Sequence, residues 1–222
     1  NLAISGSQSD VVTDLLARLH SGKAIVAFSF GALDPDRGTG SIEVAINAAT
    51  GVLRCVEAAG SATHLLVALD RAHLALIELG RPGVECVATR AMGAWGLYEI
   101  RLNAAPLTRI AGGGVDLDEL RIKGKAMLTA RAYGAARRAF ELAVDYARER
   151  HQFGQPIGKF QAIQHKLANC LIALEGVRLI LDHTARLHDG GDADWRYFAD
   201  CASAFSGSAL RQVALETQHT FG

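Results

Sequence analysis

The chain has 222 residues, with 23 basic side chains balanced by 23 acidic ones and a hydrophobic content of 50%. That balance provides no basic block or acidic tail for nucleic acid or an anionic membrane, and charges interrupt every apolar run before the roughly 18 residues a membrane span needs. A small-molecule partner is therefore expected. In chain order, Asp10 to His20 places Val11, Leu15, Leu16 and Leu19 on one helical face, and Ser21-Gly22 ends it. From Lys23 to Ile110 the runs AIVAFSF, SIEVAIN, GVLRCVE, HLLVAL, HLALIEL, VECVAT and YEIRLNA read as short strands punctuated by Gly, Pro, Asp and Asn. They predict an antiparallel β-barrel or sandwich.

At Gly112-Gly113-Gly114 the apolar period changes from two to 3.6, which marks a linker. Asp116 or Asp118 caps a helix reaching about Arg148, and Gly134 within it points to a close helix crossing. A turn at Gly154 to Gly158 leads to a helix with an apolar stripe of Phe160, Ile163, Leu167, Leu171, Leu174, Val177 and Leu181. Gly190-Gly191 breaks it, and a third helix runs from about Asp194 to His219, with Phe198, Cys201, Phe205, Leu210, Val213 and Leu215 among its apolar positions. The fold class is α+β: one short helix (within 1–21), then a β-domain (22–111) followed by an up-down helical bundle (115–222).

Cys55, Cys86, Cys170 and Cys201 are widely spaced, with no CxxC pair and no clustered histidines, so no metal site or disulfide framework is expected. They read as reduced, mostly buried thiols of a cytoplasmic protein. Asn1 to Asp10 shows no export signal, and the chain, lacking an initiator Met, reads as a fragment or as the ordered part of a longer protein.

The chemistry gathers between the first two bundle helices. Arg150 ends one, Gln161 starts the next, and His151, Gln152 and Phe153 lie in the turn. An Arg at such a corner can clasp a phosphate or carboxylate, the helix start behind it offers free N–H groups, and an aromatic can stack on a planar ring. The corner suits an anionic ligand with a flat group. The same residues also fit a solvated Arg and a Phe that staples two helices.

Arg150, Phe153, Gly154, Ile157, Phe160, Gln161, Leu167 and Ala168 stand in register with the pattern R-x-x-F-G-x-x-I-x-x-F-Q-x-x-x-x-x-L-A, so the chain resembles the acyl-CoA dehydrogenases. Gln218 to Gly222 resembles the family's Q-x-x-G-G element, with Phe221 in place of its first Gly, and Met92-Gly93 with Trp95-Gly96 resembles the stretch leaving the family's β-domain. The resemblance implies FAD as cofactor, with Arg150 on its pyrophosphate and Gln152, Phe153 and Gln161 around it, in a site held mainly by a neighbouring subunit. Gln218, Gly222 and the hydroxyl of Thr39 are implied as further cofactor contacts. It also implies that residues 1–21 are the end of an N-terminal helical domain, and it implies an acyl-CoA substrate, an electron-transfer flavoprotein or similar acceptor, and a homodimer or homotetramer, or a hetero-oligomer. The implied reaction removes the α-proton of an acyl-CoA with a carboxylate base while the β-hydrogen leaves as hydride to the flavin.

The chain departs from the family pattern in places. Leu33 replaces a hydroxyl residue at the flavin mouth, Cys55-Val56-Glu57 replaces W-I-T, and Gly124 and Lys125 stand where some members carry the base. No catalytic residue is assigned. Lys125 reads either as a CoA phosphate contact or as a solvated side chain, and Glu57 is expected to face solvent or to mark a shifted loop. The alternative function is a flavin-poor, non-catalytic subunit that completes another chain's FAD site.

Overall fold

The structure, a computed structural model, describes residues 9–30, 40–70, 73–91, 96–110 and 116–222. The sequence features at Leu33 to Thr39, Met92 to Trp95 and Gly112 to Gly114 lie outside the described residues. The chain divides into two compact units, Asn1–Leu117 and Asp118–Gly222.

Among the described residues of the first unit, helix α1 (Ser9–His20) precedes eight strands: β1 (Val26–Ser29), β2 (Gly40–Val44), β3 (Ala48–Glu57), β4 (His64–Ala68), β5 (Leu74–Glu78), β6 (Val84–Ala88), β7 (Leu97–Pro106) and β8 (Thr108–Ile110). They form two four-stranded sheets, in the orders β1-β4-β5-β8 and β2-β3-β7-β6. Alternation turns Leu65, Val67, Ala75 and Ile77 of one sheet, and Leu53, Val56, Ile100 and Leu102 of the other, into one shared core. This is the expected sandwich, and the α+β class holds.

Two features of it escape the strand pattern. The three-residue β8 is too short to show a period, and β1 pairs with β4 in parallel, because the chain crosses to the other sheet between them. In α1 the buried positions are Val12 and Leu15, while Val11 is 52% exposed, so the buried face is centred off the predicted one.

The parallel pair is pinned by Thr63, whose hydroxyl donates to the Ile25 carbonyl at 3.0 Å. Having donated there, the hydroxyl oxygen must accept from His64 Nδ1 at 2.8 Å, which fixes the imidazole tautomer. Burial, and after it the Arg18 guanidinium, hold the His64 pKa below its usual value, against the opposing pull of Glu78 and Asp14. The folded state therefore resists a proton that the unfolded chain accepts. The contribution of His64 to stability is full above the unfolded value of about 6.5 and is lost as the pH falls from there through the lower folded value. His64→Gln is expected to flatten the acid limb of a plot of Tm against pH.

Only two of the four cysteines follow the expectation of burial. Cys170 is buried and Cys201 half-buried, whereas Cys55 and Cys86 are exposed; all four are free thiols. Cys55 sits at a bulge between Leu53 and Val56 with φ 57°, which breaks the strand's alternation there. Cys86 lies on the edge strand β6, where no further strand covers it among the described residues.

The second unit holds α2 (Leu117–Glu149), α3 (Gln161–Asp189) and α4 (Trp195–Phe221). Ala136 and Phe140 of α2, Cys170, Leu174 and Val177 of α3, and Ala209, Leu210 and Val213 of α4 make its core. The α3 stripe is read correctly at Leu174 and Val177, both fully buried, while Leu171 at its margin is 41% exposed. Among the described residues nothing lies within 4 Å of a Cβ built on Gly134, so the crossing expected there is absent. With open space and an ordinary helical backbone, Gly134→Ala is expected to raise stability by about 0.5–1 kcal/mol, readable by chemical denaturation.

Candidate functional site

The turn between α2 and α3 is itself structured. One residue after α2, β9 (His151–Gln152) pairs antiparallel with β10 (Gln155–Pro156), Gln152 opposite Gln155 and His151 opposite Pro156. Phe153 and Gly154 make the two-residue tip with φ of 51° and 79°, the twist that a type I′ hairpin turn requires. Glycine adopts that conformation freely, but for Phe153 the left-handed backbone costs about 1–2 kcal/mol. Its side chain is nevertheless 91% exposed, touching the chain edge-on at Phe160 with ring centroids 6.1 Å apart.

A 3₁₀ turn, Ile157–Lys159, then leads into α3. Gly158 passes so close to α2 that a Cβ there would lie 2.9 Å from the Ala147 carbonyl oxygen. Its own carbonyl accepts from Gln164 Nε2 at 2.9 Å. These contacts seat the hairpin between the two helices. The N-cap, Phe160, gives α3 no side-chain cap; Ile163 and Gln164 N–H donate to the Phe160 carbonyl at 3.0 and 3.1 Å, which leaves the Gln161 and Ala162 N–H groups to face an outside acceptor.

Arg150 follows the last residue of α2, its N–H donating to the Tyr146 carbonyl and its carbonyl accepting from Ile157 N–H, each at 2.8 Å. The guanidinium is exposed and has no acidic partner among the described residues. Arg148, two positions earlier, is engaged with Asp145 at 3.5 Å. His151 Nδ1–H donates to the Glu149 carbonyl at 2.9 Å.

The far end of α4 reaches the same end of the bundle. Phe221, the residue that departs from the Q-x-x-G-G pattern, packs on Tyr146 of α2 with ring centroids 5.0 Å apart. Lys166 of α3 lies 3.0 Å from Glu216 of α4. Gln218 and Gly222 are exposed there, Gly222 with φ 131°. Burial, and behind it the Glu216 carboxylate, push the Cys170 thiol up, so this cysteine stays protonated and inert. Arg150, Gln152, Phe153, Gln161, Gln218 and Gly222 thus sit at one end of the three-helix unit, while Thr39 lies outside the described residues.

Two positions singled out in the sequence stand elsewhere. Lys125 is neither free nor simply solvated, because its ammonium is 2.9 Å from Asp200 of α4. Glu57 is exposed, as expected of a solvent-facing carboxylate. The Lys166–Glu216 contact has no counterpart in the sequence reading, because it joins residues fifty positions apart.

The family match decides what this end of the bundle belongs to. The family described as acyl-CoA dehydrogenase, C-terminal domain, matches residues 112–222, half of the chain. The chain belongs to the acyl-CoA dehydrogenase family. It is 37% identical over 111 residues to the mitochondrial isovaleryl-CoA dehydrogenase of rice, a match covering 49% of this chain and 25% of that one. Its structure is similar to the ChsE4-ChsE5 complex from Mycobacterium tuberculosis, with a TM-score of 0.79 at 26% identity, covering 92% of this chain and 57% of that one. PigA with FAD and proline has the same fold, with a TM-score of 0.80 at 24% identity, covering 98% of this chain and 62% of that one. The family is one of FAD-dependent oxidoreductases. This chain spans about a quarter of the rice relative and about three fifths of the solved chains. Among the described residues no helix is long and apolar enough to cross a membrane, and no metal-binding cluster occurs.

Proposed function

We propose that this chain serves an FAD-dependent dehydrogenation of an acyl-CoA thioester at the α,β-bond, and that its hairpin corner completes a cofactor site held mainly by a neighbouring subunit. The observation that carries the reading is the exposed Arg150 guanidinium, without an acidic partner among the described residues, three positions before Phe153, a residue both 91% exposed and held in left-handed backbone. An aromatic in that position loses backbone energy and buries little of its own surface, which fits a side chain whose partner lies outside the chain.

The donors match a diphosphate joined to flat rings. Arg150 supplies a fixed charge and a fork of N–H groups to phosphate oxygens, the uncapped start of α3 adds N–H donors, and Phe153 offers a stacking face. Gln152, Gln161 and Gln218 provide carboxamides, and Gly222 brings bare backbone. FAD, when bound, supplies the hydride acceptor. No carboxylate base is assigned, since neither Gly124 nor Lys125 carries a carboxylate. An electron-transfer flavoprotein is the proposed acceptor.

The test is reconstitution of the purified full chain with FAD. Protein that retains visible flavin absorbance after desalting, with acyl-CoA-dependent reduction of an electron acceptor, supports the reading. Protein that stays colourless alone and in the presence of any partner subunit ends it.

A second reading, a non-catalytic subunit that lends its corner to a different chain, draws on Cys55 and Glu57, both exposed where the family pattern has W-I-T. The likeness to the ChsE4-ChsE5 complex is in keeping with it. One flavin per chain in a catalytically active homo-oligomer would dismiss this second reading.

A further inference from the structure

The proposed site is assembled from two pieces of chain: the Arg150–Gln161 corner and the end of α4. Backbone connectivity fixes the corner on α2 and α3, but Gln218 and Gly222 are placed only by how α4 lies against those helices. Most of that contact is apolar, through Leu174, Val177, Leu210 and Val213. Apolar packing is non-directional and tolerates small axial shifts better than a charged contact does.

Lys125–Asp200 and Arg196–Glu119 tie the first part of α4 to α2, and a further charged contact ties its last turns to α3. Glu216, two residues before Gln218, places an oxygen sealed from solvent 3.0 Å from the ammonium of Lys166, five residues after Gln161. That oxygen makes no aligned hydrogen bond, so the ammonium is its compensation, and sliding α4 by one residue would leave it sealed and unpaired. Both side chains are partly exposed, at 42% for Lys166 and 29% for Glu216, and the Tyr146–Phe221 ring contact closes the same end from the α2 side.

We infer that the Lys166–Glu216 pair is a positioning device for the cofactor site, setting Gln218 and Gly222 of α4 in register with Gln161 of α3. The inference rests on the FAD reading above. It assigns no contact with cofactor to either residue; both act through the groups they align.

The experiment is FAD titration of the full chain, or of its complex if a second subunit is needed, with thermal unfolding measured alongside. Lys166→Met and Glu216→Gln are each expected to weaken FAD binding about tenfold, the scale of couplings carried through packed helices; Tm should fall in Lys166→Met, which leaves the Glu216 oxygen unpaired, and stay near wild type in Glu216→Gln. The reversed pair, Lys166→Glu with Glu216→Lys, is expected to restore most of the affinity. Single variants that bind FAD normally would overturn the inference. So would affinity and Tm that fall together without rescue by the reversed pair, since that is the behaviour of a purely structural contact. Arg150→Ala, run in parallel, separates the two levels: if it loses FAD while the pair variants do not, only the positioning role fails, and if it keeps FAD, the cofactor reading fails with it.

Discussion

Replacing Arg150 with alanine is expected to weaken FAD binding by about 2–3 kcal/mol, on the order of a hundredfold in Kd. The size follows from the state of the guanidinium in the free chain: it is exposed and has no carboxylate partner among the described residues. No such ion pair has to be broken when a diphosphate arrives, so the charge-assisted bonds replace only hydration. The same isolation means that the fold should not notice the change. An exposed side chain of this kind contributes within about 0.5 kcal/mol to stability, so Tm should stay near wild type while flavin is lost. Arg150→Lys retains the charge but not the planar fork, and its affinity should fall between the two. Flavin content measured after gel filtration, with Tm on the same samples, checks all three proteins. Wild-type flavin content in the alanine variant would remove Arg150 from the site and take away the observation on which the proposed function stands.

The residues that identify this corner are readable because they follow local rules. Helix α3 shows its core face as Leu174 and Val177, and its end as Gly190-Gly191, since a helix writes its period into every turn. The sandwich strands are readable for the same reason wherever they exceed four residues. Features that depend on distant parts of the chain are not. The two-residue ladder of β9 and β10 has no period to detect, and only the paired positive φ values at Phe153 and Gly154 reveal it as a hairpin rather than a bare turn. The exposure of Cys55 follows from a bulge opposite β7, and the open space at Gly134 from where the other helices happen not to lie. The glycine pattern of α2 points to a crossing because sequence reports the missing side chain and not the missing neighbour. Lys166 and Glu216 each look like ordinary helix charges until the helices bring them together.

Gly158 shows the opposite case, a glycine whose neighbour is present. Gly158→Ala is expected to cost about 1–3 kcal/mol, the usual penalty for forcing a methyl group into a filled space. A Cβ there would meet the Ala147 carbonyl oxygen at 2.9 Å, its carbon at 3.4 Å and the Ala147 Cβ at 3.6 Å. The nearest atom is helix backbone, which cannot rotate aside as a side-chain tip does. Relief must come from moving the 3₁₀ turn away from α2, which would also strain the bond from Gln164 Nε2 to the Gly158 carbonyl. Gly154, at the hairpin tip, makes a useful contrast. Among the described residues nothing lies within 4 Å of a methyl group placed there, so Gly154→Ala meets only the strain of φ 79°, about 1 kcal/mol. Because Gly158 seats the hairpin and Gly154 only turns it, the Gly158 variant should displace Arg150 and Phe153 and lower FAD affinity at temperatures where the unit is still fully folded. Chemical denaturation and FAD titration of both variants separate these effects. A Gly158→Ala protein with unchanged stability and unchanged affinity would mean that the close approach to Ala147 does not hold the corner in place.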